Sequence, residues 1–341
     1  MEKRIKVVQY GLGAMGTAMV KLMLTKAKLD CVGAISASGR YCGVDLGDAL
    51  GLGEHLGISV NSSLAPVLEE TKPEVMLHAT VSTMIELIPE VLSGVRAGLN
   101  VISVAEELAY PWEQSPDLAS ELDRVAKEYG VTVLGTGINP GFLMDLLPLT
   151  LSGICACATS VRVRRVNDFS VYGQSVMKHI GANLTAEAFE SGLREGSVVL
   201  HVGLPESLQL VARGLGWKLD QFQEERHALV SRSDRSTDRI KIQAGRVCGF
   251  RQIVVGRGQG GKIELEIIGI ISPNPSEDGV LPGTWIEIEG DPSISAAISG
   301  GICQAGDLGT AAHAVNSIPA VVDARPGLLT IGELPVVSCL P

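Results

Sequence analysis

Ile5-Lys-Val-Val-Gln-Tyr10-Gly11-Leu12-Gly13-Ala14-Met15-Gly16 decides the fold of this chain. The stretch from Ile5 to Tyr10 is an apolar run of strand length, and Ala14 to Lys26 carries Met15, Met19, Leu22 and Met23 at helical spacing. Between them the glycines stand in the order G-x-G-x-x-G. The first permits a tight turn, the second lets backbone approach a pyrophosphate, and the third lets the helix pack close. A pyrophosphate held by Gly11, Leu12, Gly13, Ala14, Met15 and Gly16 would rest on the free N–H groups and the positive end of that helix. Glycine-rich turns also arise by chance; the weight here comes from strand, loop, helix and next strand standing in register.

Outward from this unit the alternation continues. Cys31 to Ile35, Val75 to Ala79, Asn100 to Ser103 and Val131 to Leu134 read as further strands. Thr83-Met-Ile-Glu86 is a capping-box signature opening a helix, and Pro116 to Tyr129 is another helix. Strand and helix in this alternation predict a parallel, doubly wound α/β sheet of Rossmann type over residues 1–145.

Beyond residue 146 the pattern changes. Ser160 to Val166, Lys241 to Val247, Gly249 to Val255, Lys262 to Ile271 and Thr284 to Glu289 alternate, as strands of an open, mostly antiparallel sheet do. Helices are expected near Thr185 to Glu195 and Pro205 to Leu215, and a surface turn over Ser272 to Gly279. Residues 146–300 are therefore expected to form a second, α+β domain for substrate and dimerisation. Residues 301–341, with an Ala-rich helix at Thr310 to Asn316 ended by Pro319, are expected to return to the first domain.

Bulk properties agree. A chain of 341 residues fits two domains, and 45% hydrophobic with 19% charged residues is a globular composition. A net charge of −10 argues against nucleic acid as a partner. The chain enters a strand almost at once, so no secretory signal is read, and no apolar stretch reaches the roughly 18 residues a membrane span needs. The seven cysteines are scattered; Cys155 and Cys157 lack a second pair or a nearby His, so no metal site is expected. The expected location is the cytoplasm.

The cofactor preference is legible after the second strand. An NAD site usually places an acid there to hold the ribose hydroxyls, whereas this chain has Ser36, Ser38 and Arg40 with no acid before Asp45. Small hydroxyls and an arginine suit a 2′-phosphate, so NADP(H) is expected to be preferred, with NAD(H) possible.

In such sheets ligands bind outside the carboxyl ends of the strands. Thr80, Val81 and Ser82 follow the third strand, near the expected nicotinamide. Val104-Ala-Glu106-Glu107-Leu-Ala-Tyr110-Pro111-Trp112 follows the fourth, and Gly135 to Asp145, with Asn139, Pro140 and Phe142, follows the fifth. Paired glutamates on a loop are commonly a solvated charge run. Here they leave a buried strand and are flanked by aromatic residues able to exclude water. Reduction of a carbonyl builds negative charge on oxygen and calls for a cation or donor. Reduction of an imine passes through a cationic iminium that a carboxylate stabilises, and the carboxylate can also move the proton. Glu106 or Glu107 therefore favours C–N over C–O chemistry.

At these residues the chain resembles a known family. The Gly11 to Gly16 loop, Asn100 to Trp112, Gly137-Ile-Asn-Pro-Gly-Phe142, Asp307 to Pro319 and Pro326 to Thr330 are similar to the 2,4-diaminopentanoate dehydrogenases and native amine dehydrogenases. These are cousins of dihydrodipicolinate reductase and homoserine dehydrogenase. The resemblance runs essentially the full length. It implies reversible NAD(P)H-dependent reductive amination of a ketone or aldehyde with ammonia, and a homodimer built through the second domain's sheet. It also implies a catalytic glutamate after the fourth strand. Laid against homoserine dehydrogenase, Glu106 falls where that family carries a lysine, which favours Glu106 over Glu107.

The resemblance would place Arg164 to His179 along the substrate pocket, with Tyr172 and His179 as candidate contacts beside Asn139, Pro140 and Phe142. Whether Lys178, His179 or either arginine meets a substrate carboxylate stays open; without such a contact, simple ketones are the expected substrates. The alternatives are 2,4-diaminopentanoate oxidation proper, a carbonyl or ring-imine reductase, and an NADPH-sensing binding protein.

Overall fold

The computed structural model describes residues 3–341. From the N-terminal side, β1 (Ile5–Tyr10) leads into α1 (Ala14–Met23), β2 (Leu29–Ile35), α2 (Leu46–Ala49), β3 (Val60–Asn61) and α3 (Leu64–Thr71). Then come β4 (Val75–His78), α4 (Met84–Arg96), β5 (Asn100–Ser103), α5 (Pro116–Tyr129) and β6 (Thr132–Gly135). Every residue of β4 and β6 is buried, which is why these strands read as unbroken apolar runs. Leu87, Val91 and Val95 of α4 and Leu122, Val125 and Ala126 of α5 share one core with Met76, Val101 and Val133 of the sheet.

The chain next runs through α6 (Leu146–Ser152), β7 (Cys157–Asp168), α7 (Gln174–His179), α8 (Ala186–Glu195) and α9 (Leu204–Leu215). It continues through β8 (Lys218–Val230), β9 (Arg235–Ser236), β10 (Lys241–Ile242), β11 (Val247–Gln259), β12 (Gly261–Ile270), α10 (Pro275–Asp278), β13 (Gly283–Asp291) and β14 (Ile294–Ile298). Finally α11 (Gly306–Asn316), α12 (Ile318–Val322) and β15 (Gly327–Leu329) close the chain. Residues up to Phe142 and Asp307–Pro341 form one compact unit, and Leu143–Gly306 a second.

The first unit holds a seven-stranded sheet in the order β15-β6-β5-β4-β1-β2-β3, parallel throughout. The order reverses between β1 and β4, the kind of switch point outside which open α/β sheets bind ligands. The second unit holds a six-stranded sheet ordered β14-β13-β7-β12-β11-β8, antiparallel except for β7 with β12. The expected fold class, a doubly wound parallel sheet followed by an α+β domain with a mostly antiparallel sheet, is the one observed.

Differences have local causes. The alternation from Lys241 to Val247 predicts one strand, but only Lys241–Ile242 pair. Gly245 takes φ +82° and Arg246 N bonds back to Gln243 O at 3.1 Å, so the chain turns before β11. Within Ser272 to Gly279, Asn274 caps the single helical turn of α10. Thr83 does not close a capping box: its hydroxyl donates to the Glu86 carboxylate at 2.6 Å and makes no bond to the helix backbone. Among the described residues no helix is long and apolar enough to cross a membrane.

Candidate active site

The glycine loop is shaped by contact. Gly11 sits at φ +95°, and a Cβ added at Gly16 would come within 1.9 Å of Gly11 O. The turn and the start of α1 can therefore lie against each other only without side chains. At Gly13 an added Cβ would meet nothing within 4 Å, and no side chain caps α1 there. The bare backbone and open first turn fit the pyrophosphate of a dinucleotide. Leu12, Ala14 and Met15 complete the rim.

After β2, Ser36 is buried and its Oγ lies 3.3 Å from Ser38 Oγ, while Ser38 and Arg40 are exposed. The Arg40 guanidinium lies over the Tyr41 ring, 4.9 Å from its centroid. The first acid beyond, Asp45, is engaged by the N–H groups of Gly47, Leu56 and Ile58 at 2.8, 3.0 and 3.1 Å, which hold its carboxyl below the usual range. Asp45, Asp48 and His55 could converge on a metal ion, but Asp45 already organises this loop as the cap of α2. No acid stands between Ile35 and Asp45.

The loop after β5 is the centre of the site. A short 3₁₀ turn spans Glu106–Ala109. Leu108 and Ala109 are buried and lie over Gly135, where an added Cβ would come within 2.2 Å of the Leu108 carbonyl carbon. Glycine at the end of β6 thus lets the turn pack down. Backbone bonds tie the loop to its neighbours: Val104 N to His78 O and Glu107 N to Ser82 O, each at 3.2 Å.

The two glutamates then part company. Glu107 accepts from Met84 N at 2.5 Å, so it supplies the cap that Thr83 does not give α4. Glu106 makes its side-chain bond to Ser82, and burial pushes its carboxyl pKa up, with the neighbouring Glu107 charge adding to the rise. Glu106 thus differs from Glu107 in capping no helix among the described residues, and its own pKa is raised. Replacing Glu107 by Ala should lower stability by about 1 kcal/mol, the usual worth of a cap. Thermal melting and kcat check this together: a lower melting temperature with kcat near wild type is expected. An unchanged melting temperature with lost turnover would hand the catalytic role to Glu107.

Thr136 to Phe142 follows β6, and α11 covers it. Thr136 Oγ1 lies 2.9 Å from His313 Nδ1, Thr310 Oγ1 accepts from Ile138 N at 3.3 Å, and the Phe142 and His313 rings are 5.1 Å apart. Burial drives the His313 pKa down to about 4, so the ring is neutral. His313 Nε2 and Asn139 Oδ1 are buried atoms without a hydrogen-bond partner. Asn139, Pro140 and Phe142 thus lie on a loop that meets His313 through Thr136 and Phe142, and the sequence reading left His313 without a role.

In the second unit the parity of β7 sorts its arginines. Arg162 and Arg164 face outward and pair with Glu264 and Glu266 at 3.0 and 3.1 Å. Arg165 faces inward and is 1% exposed; among the described residues its hydrogen-bond partners are Thr284 Oγ1 and Ile302 O, each at 3.4 Å. Its Nε is unpartnered, as is Oδ1 of Asn167, two residues along the same strand face. No carboxylate forms an ion pair with Arg165 among the described residues; Tyr172 and Cys303 are the groups whose charge bears on it. Tyr172 packs on Phe169 at 4.8 Å, and its Oη adjoins Gly306. His179 and Lys178 are exposed at the end of α7. The parity of Val161, Val163, Arg165 and Asn167 was the available signal for this cluster.

Comparison with known proteins agrees along the whole chain. Residues 142–341 match the profile of the 2,4-diaminopentanoate dehydrogenase C-terminal domain, and residues 5–97 that of the dihydrodipicolinate reductase N-terminus. A 2,4-diaminopentanoate dehydrogenase of Acetoanaerobium sticklandii is 38% identical over 98% of this chain and 94% of its own. An amine dehydrogenase of Streptomyces virginiae is 26% identical over 97% of this chain and 96% of its own. The solved structure of an amine dehydrogenase from Mycobacterium smegmatis superposes with TM-score 0.86 at 28% identity, covering 99% of this chain and 98% of that one. With its second unit matched by the family's C-terminal domain and 38% identity over 98% of its length, this chain belongs to the 2,4-diaminopentanoate dehydrogenase family, as an oxidoreductase of the dehydrogenase type.

Proposed function

We propose that this protein is an NADP-preferring amine dehydrogenase that interconverts an amine with a ketone and ammonia, on substrates carrying a carboxylate. The observation that carries the proposal is Glu106, a carboxyl with a raised pKa on a loop at the carboxyl edge of the sheet. The loops Thr80 to Thr83, Val104 to Trp112 and Gly135 to Phe142 contain no Lys, Arg or His. His313 beside them is neutral. That environment disfavours an oxyanion and favours a cationic iminium.

In the aminating direction ammonia adds to the carbonyl carbon, and the neutral Glu106 carboxyl gives its proton to the departing hydroxyl of the carbinolamine. The carboxylate so formed then faces the iminium nitrogen. Gly11 to Gly16 would hold the pyrophosphate of a nicotinamide dinucleotide, with Thr80, Val81 and Ser82 near its ring, and when bound it supplies the hydride to carbon or takes it back in the reverse direction. Ser82, which bonds Glu106, fixes the carboxyl's orientation. A raised pKa suits a carboxyl that must both give and take a proton.

Ser36, Ser38 and Arg40, with Asp45 occupied elsewhere, support the 2′-phosphate reading. The 38% identity to a 2,4-diaminopentanoate dehydrogenase supports a substrate that carries a carboxylate. Simple ketones, expected where no carboxylate contact exists, are the alternative.

The test is the purified protein with 2,4-diaminopentanoate, or with 2-aminopentane as its carboxylate-free counterpart, in the presence of NADP+ or NAD+. The reverse reaction is followed with and without ammonium. Reduction of NADP+ in preference to NAD+, the diamino acid in preference to the plain amine, and strict ammonium dependence in reverse are expected. NADPH consumption with a ketone in the absence of ammonium would make the protein a carbonyl reductase and sink the reading. Equal kcat/KM for the two cofactors would remove the NADP preference.

A further inference from the structure

Tyr10, His78 and Ser103 end three neighbouring strands and stand in register, Tyr10 opposite His78 and His78 opposite Ser103. Registered residues of adjacent parallel strands share one face of the sheet, so these side chains form a row beneath the loops of the site. His78 and Ser103 are 0% exposed. Polar groups in the middle of a parallel sheet are costly unless bonded, and an aliphatic pair would fill the place at no such cost.

They are bonded into a chain. Glu90 Oε2, from α4, lies 2.8 Å from His78 Nε2, and His78 Nδ1 lies 2.8 Å from Ser103 Oγ. Ser103 Oγ in turn accepts from Ala105 N at 3.1 Å, one residue before Glu106. Thr80 Oγ1 donates to Glu90 Oε2 at 2.5 Å and lies 2.8 Å from His78 Nε2. Because Ser103 Oγ uses a lone pair on Ala105, its own proton is available to Nδ1. The Nε2–H then points to the Glu90 carboxylate, whose pKa the His78 and Thr80 bonds hold down against the opposing effect of burial. One end of the chain thus holds Thr80 in the loop assigned to the nicotinamide, and the other holds the backbone entering Glu106.

We propose that Glu90, His78 and Ser103 form a positioning network that sets the Thr80 to Ser82 loop and the Ala105–Glu106 backbone relative to one another. The proposal rests on the reading of Glu106 given above. The network touches no substrate; it acts through the loops. Hydride and proton transfer demand placement to a fraction of an ångström, and misplacement by about 1 Å can cost on the order of 100-fold in rate.

The experiment compares Ser103→Ala, Glu90→Gln and the double variant with wild type, using NADP+ and 2,4-diaminopentanoate, with Glu106→Gln in parallel. Cofactor affinity is read by quenching of intrinsic fluorescence on NADPH addition. Each single variant should lose roughly 10- to 100-fold in kcat with the NADPH dissociation constant within about twofold of wild type. The double variant should be no slower than the slower single, because both cut the same chain. If Glu90→Gln fails to fold, Ser103→Ala decides alone, since it deletes one atom. A folded Ser103→Ala with wild-type kcat beside an inactive Glu106→Gln would overturn the network and leave Glu106 standing. Losses that multiply in the double variant would also overturn it. Full turnover in Glu106→Gln would overturn both readings.

Discussion

Replacing Glu106 by Gln should lower kcat by about three orders of magnitude in both directions while leaving the NADPH dissociation constant within about a factor of two. The amide keeps the shape and the hydrogen bond with Ser82. It removes the charge that stabilises an iminium and the proton that leaves with water. The cofactor loop at Gly11 to Gly16 is formed by other residues, so binding of NADPH should survive. Steady-state rates and a fluorescence titration decide it: kcat within tenfold of wild type would refute the assignment. The same variant carries a stability signature with a definite sign. Burial raises the folded-state pKa of Glu106 above its unfolded value. The folded protein therefore binds more protons than the unfolded chain between those two values, and stability falls as pH rises from about 4.3, the unfolded value, through the folded pKa. Gln does not titrate, so the variant should melt higher than wild type at mildly basic pH and gain nothing below the unfolded pKa. A lower melting temperature at basic pH would mean that the carboxylate is already compensated by a partner.

Replacing Arg165 by Met should raise the melting temperature, because removing a buried charge that lacks an ionic partner is neutral or stabilising. Met has a similar length and no charge, and the wild-type guanidinium is buried without an ionic partner, which pulls its pKa down. Because the guanidinium stays protonated throughout the usual working range, the gain should not depend on pH there. A fall in melting temperature would show that the charge is neutralised within the protein.

The contrast between these two residues shows how far a sequence reaches. Glu106 was visible because the loop that carries it follows a buried strand in a fold whose ligand edge is known in advance. Arg165 was visible only as one of two adjacent arginines, and the parity of Val161 and Val163 sorts them once β7 is paired on both sides. The same dependence on neighbours hid β8. Lys218–Val230 has both faces largely solvated and so shows no alternation; it is a strand because β11 pairs along its length. His78 read as the end of an apolar run, since its partners come from Glu90 on α4 and Ser103 on the next strand.

By itself, then, the sequence determined the elements whose cause is local: the glycine turn into α1, the buried runs of β1, β4, β5 and β6, the helix Pro116–Tyr129, and the absence of a free acid after β2. Apolar periodicity and glycine geometry are properties of a few neighbouring residues, so they can be read in order along the chain. The tertiary structure alone decided which glutamate caps α4, which arginine is buried without a counter-ion, and that His78 joins Glu90 to Ser103. Those outcomes turn on desolvation and on partners 12 to 119 residues away, and the cost of burying a charge is set by what folds over it.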